Sequence, residues 1–159
     1  MWDQESDNFK FKVDTLIAKG IFGHSCTKRS VLKAISRIYD PHGMLGCFVI
    51  RAKIGMQEIW KMKYRWDEKL PDFEIKRWTK FWEEVPLIKE IEFPRWYDQG
   101  IQGEIKEREL HIFSDASKVA YASVAIIRTV ADNVVTNIIC SKTRVSPLCD
   151  PPLSIPRLE

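Results

Sequence analysis

Asp115 is the residue of this chain best placed to do chemistry. It follows an apolar stretch, Leu110 to Ser114, that alternates as a β-strand does, and two small residues, Ala116 and Ser117, come after it. A carboxylate held rigidly at a strand end, beside small neighbours, lets a bulky ligand such as a phosphate backbone with its metal ions approach. The alternative is that Asp115 only caps a turn, the commoner role of an aspartate in this position.

Two other patterns could suggest chemistry, and neither is complete. Asp115-Ala116-Ser117 could be half of an aspartic-peptidase site, but that site needs a glycine next for its tight turn, and Lys118 stands there instead. His24, Cys26 and His42 could suggest a metal site, but no further ligands stand at the spacing that zinc requires. We therefore expect neither a peptidase site nor a zinc site.

Length and composition restrict the class of protein. With 159 residues, 45% hydrophobic and 30% charged, the chain can bury a core and form one or two small domains. The longest apolar stretch, Gly43 to Ile50, is far shorter than the roughly 20 residues of a membrane span, and the acidic N-terminus is unlike a secretion signal. Four cysteines without a C-x-x-C pair indicate free thiols in a reducing compartment. We expect an intracellular protein, in the cytoplasm or the nucleus, without a membrane partner.

Positive charge is concentrated in the middle of the chain. Residues 24–82 carry 13 Lys and Arg against 6 Asp and Glu, whereas the net charge of the whole chain is only +3. This excess favours a polyanion partner, although a solvated, lysine-rich helical surface would give the same count. If nucleic acid binds here, the candidate contacts are Lys28, Arg29, Arg51, Lys53, Lys61, Lys76, Arg77 and Lys80. The last five of these should then share one exposed face.

The elements that must position these residues begin with a hairpin and three helices. Residues 1–18 predict a β-hairpin, and because a lone hairpin is marginally stable we expect its sheet partners to lie outside this chain. The first amphipathic helix is capped by Thr27 and ends at Asp40-Pro41; the second runs from about Phe48 to Trp60; the third opens near Pro71. Together they predict a compact basic bundle.

The tryptophans of these helices have two possible roles. Trp60, Trp78 and Trp82 recur at helical spacing, which is typical of side chains that fill a core. Aromatic rings could also stack on nucleic-acid bases. The helical spacing favours the core for all three.

The second half of the chain predicts a sheet. Pro86, Pro94, Gly100 and Gly103 mark a connection over residues 86–108, and from Glu109 the apolar period switches to two. The predicted strands are Leu110–Ser114, Ala120–Arg128 and Val134–Lys142, and their short turns imply antiparallel neighbours. The fold class is therefore α+β: a hairpin (1–23), a helical bundle (24–85), a connection (86–108) and a stranded domain (109–159).

Several short motifs, taken together in order, resemble the Pol polyprotein of LTR retrotransposons of the BEL/Pao group. They are Trp2-Asp3, Asp7-x-Phe9-x-Phe11-Lys12-Val13, Thr27-Lys28-Arg29-Ser30-Val31-Leu32, Arg37-Ile38-Tyr39-Asp40-Pro41-x-Gly43, Arg51-Ala52-Lys53-Ile54-x-Met56-Gln57-Glu58-Ile59-Trp60, Phe113-Ser114-Asp115-Ala116-Ser117, Ser141-Lys142-x-Arg144-Val145 and Ile155-Pro156-Arg157-Leu158-Glu159. Any one of them would be weak alone.

The resemblance implies a window of Pol that starts at the end of the reverse transcriptase palm (1–23). It continues through a thumb-like bundle (24–85) and a connection (86–108) into the N-terminal part of an RNase H-like domain (109–159), truncated after its first three antiparallel strands. In that family the first strand carries a catalytic aspartate, which corresponds to Asp115. The helix after the three strands carries a catalytic glutamate, which corresponds to Glu159.

These two carboxylates are expected to be ligands of a two-magnesium site, because two hard cations can hold the scissile phosphate, activate water and stabilise the leaving oxygen. Three short-turned strands return the chain to its first strand, so Asp115 and Glu159 should share the site. The alternative is that Glu159, at the end of a proline-rich tail, lies free of it. The family's two later carboxylates would lie after Glu159. We therefore expect an incomplete Mg²⁺ site and no catalysis by this chain alone.

The resemblance also implies partners. These are an RNA–DNA hybrid or a primer–template duplex, and the remainder of the Pol polyprotein of an element that transposes by DNA integration. The alternatives are a non-catalytic nucleic-acid-binding remnant of a degenerate element, and a segment labelled as a retrotransposon peptidase by association.

Overall fold

Two three-stranded antiparallel sheets flank a helical bundle in the described part of the chain. The computed structural model describes residues 1–12, 26–149 and 151–158. The elements in chain order are β1 (Trp2–Asp3), β2 (Asn8–Lys10), α1 (Lys28–Ile35), α2 (Gly46–Lys61), α3 (Asp72–Glu84), β3 (Glu92–Pro94), β4 (Glu107–Ala116), β5 (Ala120–Val130) and β6 (Val134–Val145). Short 3-10 helices cover Val85–Glu90 and Ile155–Arg157. The predicted α+β class is confirmed.

The N-terminal hairpin is present, but its sheet partner comes from this same chain. Strands β1 and β2 pair antiparallel, and β2 pairs on its other side with β3, which places Phe9 opposite Phe93. Our expectation that the partner lay outside the chain is therefore wrong. Pro94 had marked this segment as a loop, yet a proline is tolerated at the end of a strand at the sheet edge. The remainder of the predicted hairpin, residues 13–18, lies outside the described residues.

Helix α1 begins as predicted and ends earlier than predicted. The Thr27 hydroxyl accepts from the Ser30 amide at 3.2 Å, and the Ser30 hydroxyl accepts from the Thr27 amide at 2.9 Å, which forms a capping box. The helix ends at Ile35, well before Asp40. Asp40 instead holds the turn before α2, where its carboxylate accepts from the amides of Met44 and Leu45 at 2.9 and 2.8 Å.

The three helices pack around one apolar core. Trp78 and Trp82 are buried in it, as the helical spacing predicted, whereas Trp60 is 42% exposed and does not belong to the core. The most deeply buried side chains are Val31, Leu45, Ile59, Leu70, Trp82 and Val85. Among the described residues, no helix has the length and apolar character that a membrane crossing requires.

The second sheet has the strand order β4–β5–β6; β4 is twice as long as predicted, and β5 and β6 are slightly longer. Asp115 lies opposite Ala122, which lies opposite Thr143, while Ser114 lies opposite Ser123, which lies opposite Lys142. Because successive residues of a strand point to opposite faces, these two rows belong to different faces. We name the face of Asp115 and Thr143 the helix face, since α2 packs on it.

The start of α2 contacts β6 at very short range. Gly43 has φ +74°, and a Cβ atom there would lie 1.9 Å from the carbonyl oxygen of Ser141. The Ser141 amide donates to the His42 carbonyl at 2.8 Å, and the Ser141 hydroxyl donates to the Gly43 carbonyl at 2.5 Å. Glycine is required here because it adopts the left-handed backbone readily and has no Cβ atom to clash with Ser141.

The contact continues along α2. The Lys53 ammonium donates to the carbonyl of Thr143 at 3.0 Å, and the Gln57 amide donates to the carbonyl of Ser146 at 2.6 Å. Thr143 belongs to β6, and Ser146 follows its last residue. The helix is thereby fixed to the outer strand over most of its length.

We predict that Gly43→Ala lowers the free energy of unfolding by about 3 kcal/mol or more, since a strained φ adds to a clash with backbone. Gly100→Ala is the matched control: Gly100 has φ +88° with nothing near its would-be Cβ, so we expect a loss of only about 1–2 kcal/mol. Urea unfolding of both variants gives the comparison. Equal losses would show that the contact with Ser141 is not tight.

Candidate functional site

Asp115 is exposed at the end of β4, one residue before the strand stops. Its Oδ1 accepts from the Ala116 amide at 2.9 Å. Its Oδ2 has no hydrogen-bond partner among the described residues and is available to a ligand. The structure thus places Asp115 at a strand end, where the sequence predicted it.

Two grooves meet at Asp115 because β4 is paired on one side only within the described residues. The first has a volume of about 440 Å³ and lies between the start of α2 and the helix face, with a largely apolar lining that includes Met44, Ile50, Phe113 and Val124. The second has a volume of about 300 Å³ and is lined by Ser114, Asp115, Tyr121, Ala122, Ser123, Lys142, Arg144 and Leu158. The carboxylate belongs to the helix face, and both grooves border the strand end that carries it.

The described residues supply one carboxylate to this site. They contain no group of three or more His, Cys, Asp or Glu side chains placed to hold a metal ion. Glu159, the second predicted ligand, lies outside the described residues. An exposed carboxylate oxygen is the right donor for Mg²⁺, but one oxygen does not make a two-metal site.

The histidines and cysteines that the sequence offered as possible metal ligands form no metal site within the described residues. The His42 ring stacks on Phe9 with the centroids 5.5 Å apart, and His24 lies outside the described residues. All four cysteines are free thiols. Burial, with a smaller contribution from the charge of Glu74, raises the pKa of the Cys26 thiol to about 11, which leaves it protonated and a poor ligand.

Ser117 closes the turn between β4 and β5 and does not pair with Asp115. Its hydroxyl donates to the Ala120 carbonyl at 2.9 Å and accepts from the Ala120 amide at 3.1 Å. A peptidase reading of Asp115-Ala116-Ser117 would require the serine to support the aspartate. This geometry disfavours that reading.

The Lys28 side chain packs against two tryptophan rings of the protein. It is buried, and its ammonium lies 3.6 Å from the ring centroid of Trp60 and 5.4 Å from that of Trp66. The two indole rings stand edge to face at 5.1 Å. Trp60 therefore makes a cation–π contact outside the core. This contact engages the Lys28 ammonium, which we had assigned to nucleic acid.

Four more of the predicted nucleic-acid contacts are engaged within the protein. Lys53 is bound to the carbonyl of Thr143. The arginines form ion pairs: Arg29 with Asp67 at 2.7 Å, Arg51 with Glu84 at 2.5 Å, and Arg77 with Glu58. The hydrogen bonds of Arg29 and Arg51 hold the pKa values of Asp67 and Glu84 below their usual range. These pairs are solvent-exposed and contribute little to stability, but they already satisfy the arginines.

The remaining predicted contacts are Lys61, Lys76 and Lys80, which are exposed and form no ion pair within the described ranges. Lys53 faces β6, whereas Arg77 lies beside Gly55 and pairs with Glu58, on another side of α2. Lys53 and Arg77 therefore do not share one exposed face. Nucleic-acid binding by the helical cations stays a prediction.

Sequence reasoning missed Lys142 and Arg144, which line the groove beside Asp115. They lie outside the segment with the positive excess, so a count of charges did not single them out. A usable signal was present: cations two residues apart in a strand point to the same face.

The three long antiparallel strands, with an exposed aspartate at the end of the first, are consistent with a truncated RNase H-like domain. The family model for the Pao retrotransposon-like RNaseH-like domain matches residues 27–159, from the cap of α1 through the helices and the second sheet. The chain belongs to this family, which confirms the resemblance to BEL/Pao-type Pol. No curated protein and no solved structure matches the chain.

We predict that Lys28→Gln lowers the free energy of unfolding by about 1–2 kcal/mol, because it removes a buried cation–π contact. Lys33→Gln is the matched control on the same helix, where the side chain is exposed. Thermal and urea unfolding measure the difference. If the two variants are equally stable, the contact between Lys28 and Trp60 carries no stabilisation.

Proposed function

We propose that this chain is an RNase H-like segment of a retrotransposon Pol polyprotein that binds an RNA–DNA hybrid or a primer–template duplex. In this proposal, the chain acts together with the rest of Pol, including the reverse transcriptase, in an element that integrates its DNA. Asp115 contributes one oxygen ligand to a Mg²⁺ site, and Glu159 contributes another.

The observation that supports the proposal is the placement of Asp115. Its free oxygen faces solvent where two grooves meet, and one of these grooves is lined by two cations. A phosphate backbone needs access for a bulky ligand, positive charge for its phosphates and a carboxylate for its metal ions. The membership of the Pao family makes a nucleic-acid substrate the natural ligand.

A second candidate is a binding segment without catalysis of its own. The observation in its favour is that the described residues supply a single carboxylate at the site. A two-metal nuclease holds its ions by several oxygen ligands in fixed geometry, and one ligand provides neither affinity nor geometry. The two candidates differ in whether the chain cleaves, not in what it binds.

We predict that the purified 159-residue chain binds an RNA–DNA hybrid with an affinity that falls steeply as salt rises, because phosphate contacts release counterions. Fluorescence anisotropy at several salt concentrations measures this. An uncharged nucleic-acid analogue of the same sequence is the control and should not bind. Absence of binding by the hybrid, or an affinity independent of salt, would contradict the proposal.

We further predict that the hybrid stays intact when the chain and Mg²⁺ are added. The Asp115→Asn variant sets the background, since it keeps the shape of the side chain and loses its charge. Cleavage is followed on a gel with labelled RNA. Cleavage by the parent chain above that of Asp115→Asn would show that a complete nuclease site is present after all.

A further inference from the structure

A compact basic patch lies on the sheet face opposite α2. It consists of Ser114, Tyr121, Ser123, Lys142 and Arg144, which occupy one face on three neighbouring strands. Ser123 lies opposite Lys142, and Tyr121 lies opposite Arg144. The hydroxyls of Ser114 and Ser123 are 3.3 Å apart. The patch lines the 300 Å³ groove that Asp115 borders.

The two cations of this patch are free, unlike most arginines of the chain. Lys142 and Arg144 are exposed, and neither forms an ion pair or a hydrogen bond with another described residue. Within the second sheet, Arg108 and Arg128 each pair with a carboxylate, Asp98 and Glu109 respectively. None of the residues in register with Lys142 or Arg144 is acidic, so no strand neighbour among the described residues neutralises them.

The register of β6 places Lys142 and Arg144 on the sheet face opposite α2. Ser141 and Thr143 face α2, where a Cβ at Gly46 would lie 2.8 Å from the Ser141 hydroxyl and 3.0 Å from the Thr143 methyl. Lys142 and Arg144 must then point to the other face, roughly 7 Å apart along the strand. Two ions at that separation can contact two phosphates of one strand, and hydroxyl groups beside them can donate to the phosphate oxygens.

We infer that this basic patch is a phosphodiester-binding surface: Lys142 and Arg144 neutralise successive phosphates of a bound nucleic-acid strand, and the hydroxyls of Ser123 and Tyr121 donate to the same backbone. The inference rests on the proposed function and moves the main contact from the helical bundle to the sheet. The strand then runs past the end of β4, where Asp115 stands.

The test is a charge-neutral pair of substitutions, Lys142→Gln with Arg144→Gln, in the 159-residue chain. Binding of an RNA–DNA hybrid is measured by anisotropy over a range of salt, with and without Mg²⁺, because Asp115 borders the groove and repels a phosphate when no cation is present. We expect the affinity to fall at least about tenfold and the slope of log affinity against log salt to become shallower by about two.

Two further variants control for net charge and for folding. Lys33→Gln with Arg37→Gln removes the same two charges from exposed, unpaired positions elsewhere, and should change the affinity by no more than about threefold. Lys142→Arg with Arg144→Lys keeps both charges and should bind nearly as the parent does. All variants are compared by circular dichroism before binding is measured.

The outcomes separate this inference from the proposed function. If the parent binds with the expected salt dependence but Lys142→Gln with Arg144→Gln matches the control pair, this inference is wrong and the proposed function stands. If the charge-preserving swap binds as poorly as the neutral pair, charge is not the cause and the inference is again wrong. If the parent does not bind the hybrid at all, both fail together.

Discussion

The contact between Gly43 and Ser141 determines how the two halves of this protein are arranged. Because residue 43 has no side chain, the turn before α2 reaches the backbone of β6, and Ser141 donates two hydrogen bonds to the carbonyls of His42 and Gly43. Once Ser141 faces the helix, strand alternation leaves no freedom for its neighbours. The same contact therefore forms one wall of the groove beside Asp115 and turns Lys142 and Arg144 to the opposite face. A shift of β6 by one residue would exchange the roles of the two faces.

A count of charges along the sequence and the contacts of those charges in the structure point to different candidate surfaces for nucleic acid. The excess of cations in residues 24–82 is real, but its arginines pair with nearby carboxylates, Lys28 lies under Trp60, and Lys53 holds the helix to the sheet. An ion that is already satisfied must lose its partner before it can contact a phosphate, so it adds little to binding. Lys142 and Arg144, the free cations beside the candidate site, come instead from residues 83–159, which carry more Asp and Glu than Lys and Arg. Local pairing, rather than composition, decides which charges are available.

Local signals in the sequence predicted the elements, and contacts between distant residues escaped prediction. Thr27 and Pro71 marked where helices begin, and the alternation after Glu109 marked three strands, because caps and alternation act over a few residues. The pairing of β3 with β2 and the cation–π contact of Lys28 depend on residues brought together by the fold, and no local pattern encodes them. Asp115 was found because its signal is local: a strand that ends in a carboxylate followed by small residues. Whether a second carboxylate joins it is a question of distant contacts, which local patterns do not answer.

The position of Asp115 on the outer strand also limits how its site can be completed. On one side β5 blocks access along the sheet, since Asp115 is in register with Ala122. On the other side, β4 has no partner among the described residues, and it exposes the apolar side chains of Leu110, Ile112 and Phe113. A long, apolar, unpaired strand edge is a surface that proteins normally cover. Any group that adds a metal ligand to Asp115 must therefore approach along this edge or over one of the two grooves. If a phosphate backbone binds the basic patch on the face away from α2, as proposed, the strand edge and the apolar groove are the routes left for further protein groups.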